Sequence, residues 1–152
     1  MTRILAAAFL LPLASANFSA AESKAVDPAF VGTWEFVATT PVGAARGAKR
    51  LRFNSDGTYA ALGADGKELW AGTYETDRGA IPKVWDHRSH EAKKKGTDVL
   101  GIYEVKGDTL KACCVIGAWK GKKWVGKPRP TSFDPKQAEV TLELKRVKRK
   151  GR

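Results

Sequence analysis

Three places in the chain gather side chains able to do chemistry. The segment Asp86-His87-Arg88-Ser89-His90-Glu91 sets two imidazoles in a His-x-x-His spacing between carboxylates, which can supply two ligands to a divalent metal. Arg88 and the Lys93-Lys94-Lys95 run repel a cation, and no third ligand stands at a recognisable distance in the sequence. The plainer reading is a solvated hairpin tip. Cys113 and Cys114 are adjacent, so on a strand they point to opposite faces and a bridge between them would break the extended geometry. The expectation is an unbridged pair, one thiol buried and one facing the other side, with no redox or metal role because the Cys-x-x-Cys spacing is missing. The chain holds no Gly-x-Ser-x-Gly, no Cys with a convincing base and no paired acidic motif. No catalytic residue, metal or cofactor is therefore assigned, and an enzyme built on His87 and His90 is the least favoured reading.

The third place runs from Ala118 to Lys127, where Trp119 and Trp124 flank Lys120-Gly121-Lys122-Lys123. This is the pattern of a β-hairpin with a cross-strand aromatic pair. Aromatic faces among lysines suit sugars or anionic polymers, because stacking and charge act together. Trp119, Lys122, Lys123 and Trp124 are thus the candidate ligand-binding residues. The competing reading is an ordinary hairpin whose tryptophans cap a barrel mouth. From Lys145 to Arg152 the tail adds six cations, whose default state is a solvated end.

These segments need a scaffold, and the sequence describes it. A chain of 152 residues with 43% hydrophobic content is one domain with enough apolar material for a single core. Its first residues give a basic start (Arg3), an apolar run from Ile4 to Leu13, and small residues at Ala14-Ser15-Ala16 and Ser19-Ala20-Ala21. That is a secretory signal pattern, cleaved after Ala16 or, as we favour, Ala21; the run is too short to span a bilayer. No Cys follows it, which argues against a lipid anchor. The expected organisation is a signal peptide over 1–21, a barrel domain over 22–147 and a basic tail over 148–152, in the periplasm or outside the cell. Losing the signal removes Arg3 and no acidic residue, so the formal charge falls from +11 to +10. Such a charge attracts polyanions, and export directs it to anionic polysaccharide, lipid headgroups or acidic proteins in place of nucleic acid.

Beyond Pro28 the chain alternates in short segments separated by turn residues, the pattern of an all-β barrel or sandwich. Strands are expected at Val31–Thr39, Ala48–Asn54, Thr58–Leu62, Leu69–Thr76, Ile81–Asp86, Asp98–Val105, Thr109–Ile116, a short Thr131–Phe133, and Glu139–Val147. Ser55-Asp56-Gly57, Ala64-Asp65-Gly66-Lys67 and Lys106-Gly107-Asp108 punctuate them. In the last strand Val140, Leu142 and Leu144 share one face and Thr141, Glu143 and Lys145 the other. About eight such strands close most economically as an up-and-down antiparallel barrel, with a two-sheet sandwich as the alternative. Trp34, Phe36, Phe53, Tyr59, Trp70, Tyr74 and Tyr103 can fill most of a short barrel if they point inward, so a packed interior and an open calyx both stay in view.

Gly32-Thr33-Trp34, Leu51-Arg52-Phe53, Gly72-Thr73-Tyr74, Leu100-Gly101-Ile102-Tyr103-Glu104, Gly107-Asp108-Thr109-Leu110-Lys111 and Arg129-Pro130-Thr131-Ser132-Phe133 follow one another in an order and spacing that carry a likeness. Over about Asp27 to Val147 the chain resembles the uncharacterised lipocalin-like domain family expanded in planctomycete bacteria. The Trp119/Trp124 segment departs from that family's usual shorter connection. The resemblance implies a lipocalin-like barrel and brings no established activity. It further implies that Gly32 permits close backbone approach, that Trp34 plugs the closed end, and that a basic residue of the last strand crosses the indole. Arg146 has the parity for that role. The functional readings are a binding module for a small apolar molecule and a basic surface module for an anionic polysaccharide or protein.

Overall fold

The computed structural model describes residues 25–150. The segment read as a signal peptide lies outside the described residues. Nine strands follow in chain order: β1 (Gly32–Thr40), β2 (Arg50–Phe53), β3 (Thr58–Leu62), β4 (Glu68–Asp77), β5 (Lys83–Ser89), β6 (Thr97–Lys106), β7 (Thr109–Lys120), β8 (Lys123–Gly126) and β9 (Val140–Arg146), with a short helix α1 (His90–Lys94) between β5 and β6. Each of β1 to β7 pairs antiparallel with its successor. β9 then pairs with β7 on one side and β1 on the other, so eight strands close into a ring that has no open edge of its own. β8 stands outside the ring, paired only with the end of β7. Closure removes the sandwich alternative.

The alternation seen in the sequence sets which side chains enter. Leu51 and Phe53 are buried while Arg52 between them is exposed, and Tyr74 and Thr76 are buried between exposed Thr73 and Glu75. Turn chemistry fixes the register. At the β2–β3 turn Gly57 takes φ +82°, and the Asp56 carboxylate accepts from the Thr58 N–H and hydroxyl at 2.9 and 2.6 Å.

Three expectations need correction. Thr131–Phe133 forms bends, not a strand. Its motif acts through side chains: Arg129 forms a bidentate pair with Asp86 of β5 and donates to the Gly101 carbonyl of β6 at 3.0 Å, and Pro130 is fully buried. The strand expected to end at Asp86 runs on to Ser89, so His87 lies within β5 and not in a solvated hairpin tip. Both cysteines are unbridged and both are buried, Cys113 as well as Cys114. Burial raises both thiols above their ordinary pKa.

The two ends of the barrel differ. One end gathers the start of β1, the end of β9 and the β2–β3, β4–β5 and β6–β7 turns, and the segment before β1 plugs it. Phe30 is wholly buried there, its ring 4.5 to 5.5 Å from those of Phe53, Tyr103, Trp85 and Tyr74. The Trp34 indole donates to the Phe30 carbonyl at 2.9 Å. Asp27 is tied down by the Tyr103 hydroxyl at 2.6 Å, and its own N–H donates to Thr76 Oγ1 at 2.8 Å. Burial works against the Asp27 carboxylate, but Tyr103, the Ala29 N–H and the Lys83 charge together hold its pKa below the usual range. The other end carries α1, the β7–β8 hairpin and the loops after β1 and β8.

Candidate functional site

At the unplugged end the inner wall is incompletely covered. Phe36, Trp70, Val99 and Leu142 pack on the core yet remain only partly buried. Inside the barrel a column of rings continues from the Phe30 plug. Trp85 lies 5.3 Å from Phe30, and His87 stacks on Trp85 with centroids 4.2 Å apart and planes 13° from parallel. Tyr59 meets the imidazole edge-on, at 5.7 Å and 89°.

Strand parity makes this column. Trp85 and His87 are two apart on β5, so both enter the barrel. Across the sheet Tyr74, His87 and Val99 fall in register, as do Thr76, Trp85, Gly101 and Cys114. Gly101 matters because a Cβ there would lie 2.8 Å from Cys114 Sγ. Trp85 is 1% exposed, and its Nε1 has no hydrogen-bond partner among the described residues; nor has the buried His87 Nδ1. The His87 residue as a whole is partly exposed. Burial lowers its pKa to about 3, so the ring is neutral at physiological pH. Tyr59 is pushed up to about 12 by burial, with Trp70 acting in the other direction.

His90 does not join His87. It is exposed at the first turn of α1, which Ser89 caps by accepting from the Ala92 N–H at 3.0 Å. Asp86 faces the outer surface and is committed to Arg129. Among the described residues no group of three or more His, Cys, Asp or Glu side chains gathers to hold a metal.

The sequence-read structural motif occupies the plugged end. The Arg146 guanidinium lies 4.1 Å from the ring centre of Trp34 and donates to the Val31 and Ala29 carbonyls at 2.8 and 2.6 Å. Gly32 has φ +136°, and a Cβ there would stand 2.7 Å from Arg146 Nη1.

Trp119 and Trp124 are direct cross-strand partners, their rings 5.3 Å apart at 61°. They pack on the outer face of the β7–β8 hairpin and do not cap the barrel mouth. Trp119 donates to Asp98 Oδ2 at 3.1 Å, and Asp98 also holds Arg88 at 3.0 Å. Trp124 donates to the Lys127 carbonyl at 2.7 Å and lies over Gly117, where a Cβ would come 2.5 Å from its ring. Trp119 remains 44% exposed, and Lys120, Lys122 and Lys123 are exposed without ion pairs among the described residues. A second cationic feature went unread in the sequence: an open groove of about 910 Å³ across β1, β2 and the tail, lined by Arg50, Arg52, Arg146, Lys148 and Arg149.

Comparison with protein-family models, curated proteins and solved structures finds no match to this chain. What it shares with a lipocalin-like binding module is thus the fold itself, a closed eight-stranded barrel plugged at one end. Among the described residues no helix is long and apolar enough to cross a membrane.

Proposed function

We propose that the protein is an exported binding module that takes one small, largely apolar molecule at the open end of its barrel. The observation that carries this reading is the asymmetry of the interior. One end is sealed by Phe30, Trp34 and Arg146, whereas at the other Phe36, Trp70, Val99 and Leu142 point inward and are only partly buried. Eight-stranded barrels are just wide enough to hold one small ligand. The likeness to the planctomycete lipocalin-like family and the signal-like start support the same assignment and a place outside the cytoplasm.

N-phenylnaphthylamine, a neutral probe whose emission rises in apolar surroundings, tests it. The reading expects saturable binding at one site, weakened at least tenfold by Leu142→Lys, which sets a charge on the inner wall. Emission that never saturates, or that ignores the substitution, contradicts it.

A second reading, attachment to an anionic polysaccharide, is favoured by one observation. The Trp119 ring is held rigidly by Asp98 beside three exposed lysines, so stacking and charge are presented together. The two readings use different surfaces and are separable by mutation.

A further inference from the structure

The cationic groove on the outer face, about 910 Å³ in volume, lies between β2 on one side and the chain that follows β9 on the other. Strand parity builds the first side. Leu51 and Phe53 are buried in the interior, so Arg50 and Arg52 stand together on the outer face, roughly 7 Å apart at two residues of extended chain. The tail builds the second side. The Val147 N–H donates to the Thr33 carbonyl at 2.8 Å, which continues the β1–β9 ladder past Arg146 and brings Lys148 and Arg149 to the groove. The tail read in the sequence as a solvated end is thus tied to the sheet as far as Val147.

Five cations line the groove and, among the described residues, no carboxylate does. Two of them are engaged: Arg146 lies on Trp34, and Arg146 and Lys148 reach Asp108 at 3.9 and 3.6 Å. Arg50, Arg52 and Arg149 have no ion pair among the described residues. Glu35 stands in register with both Arg50 and Lys145, so this face of the sheet stays cationic. Cations held this close repel one another, and a cleft lined by one sign of charge focuses its field on any anion that enters. Lysines outnumber arginines in the whole chain, yet four of the five groove cations are arginines. A guanidinium presents a planar fork that takes an oxyanion through two hydrogen bonds, whereas an ammonium acts as a point charge.

We infer that this groove is a binding site for an anionic polysaccharide, whose sulfate or carboxylate groups are taken by the Arg50, Arg52 and Arg149 forks. The unpaired guanidiniums stand on two separate elements of an open trough, so one chain bearing several anions satisfies them together. Single-stranded nucleic acid fits less well, because its binders combine cations with exposed aromatic rings, and the one aromatic residue of the lining, Phe53, is 1% exposed. A lipid surface also fits less well, because none of the large apolar side chains left exposed among the described residues lines the groove. The site shares no residue with the hairpin and does not depend on the barrel interior.

The test titrates fluorescein-labelled heparin, which is sulfated, and polygalacturonate, which bears carboxylates alone, with the wild-type protein at a series of salt concentrations. Arg50→Gln with Arg52→Gln should weaken binding about tenfold and lower the slope of log affinity against log salt by roughly two. Arg50→Lys with Arg52→Lys should keep the slope yet remain about threefold weaker than wild type, because the forks are gone. Arg149→Gln, which lies beyond the last strand and leaves the sheet untouched, should weaken binding about threefold. A loss with heparin alone names sulfate as the group taken, and a loss with both polymers extends it to carboxylate. Unchanged binding by the glutamine variants, full recovery by lysine, or a loss seen only in Lys122→Gln with Lys123→Gln overturns the inference; the last result would leave the hairpin reading standing. Tighter binding of oligothymidylate or of phosphatidylglycerol vesicles than of either polymer also overturns it. N-phenylnaphthylamine titrated into the same variants reports on the barrel reading separately.

Discussion

The His87 imidazole lies flat on the Trp85 indole, 4.2 Å away between ring centres, with its Nδ1 buried and without a partner among the described residues. A histidine kept neutral by burial has a consequence for acid stability. The fold holds His87 unprotonated down to about pH 3, whereas in the unfolded chain it takes a proton near the ordinary imidazole value of 6.5. Between those limits the unfolded state binds more protons, so stability is lost as pH falls through that window and is unaffected above it. Asp27, whose pKa is lowered from 3.8, adds a loss that sets in as pH falls through 3.8. Urea unfolding at pH 7 and pH 4.5 should show a drop for wild type that His87→Gln largely abolishes; equal drops in both would contradict the buried neutral ring.

At the plugged end, Arg146 combines a stack on Trp34 with two carbonyl hydrogen bonds to the plug segment. Arg146→Ala should destabilise by about 2 kcal/mol in denaturant titrations, through lost stacking, stem packing and unpaired carbonyls. Arg146→Lys should restore little of it, because an ammonium cannot span both carbonyls while lying flat on the indole. Full recovery by Lys would show that charge alone matters there.

Much of this fold is legible in the sequence because turns and alternation are local. The Leu51/Phe53 and Leu142/Leu144 parities, the Gly57 and Gly107 turns and the Trp119/Trp124 pairing can all be read from neighbours. The interior column of rings cannot be read in that way. Phe30 precedes the first strand, so period-two counting does not reach it, yet it is the centre of the plug. His87 looks like a polar turn residue amid Arg88, Ser89 and His90; only the extension of β5 to Ser89 turns it inward beside Trp85. A signal did exist, in the two-residue spacing of Trp85 and His87. The role of Arg129 was hidden for another reason: its partner Asp86 is 43 residues away, and no local pattern links them.

The hairpin reading makes a separate prediction. If Lys122 and Lys123 contact a polyanion, retention on heparin should weaken steeply with salt, and alanine at both should lower the slope of log affinity against log salt by roughly two. Arg50→Ala with Arg52→Ala probes the opposite groove in the same assay. A slope altered only by the arginine pair would move the contact away from the hairpin.

The most direct measurement uses the five indole N–H resonances of Trp34, Trp70, Trp85, Trp119 and Trp124, which sample the plug, the barrel interior and the hairpin in one heteronuclear NMR spectrum. On titration with N-phenylnaphthylamine, the account predicts a saturable shift at Trp70, with Trp34, Trp119 and Trp124 unmoved. An unchanged Trp70 signal at saturating probe, or shifts confined to Trp119 and Trp124, would contradict it.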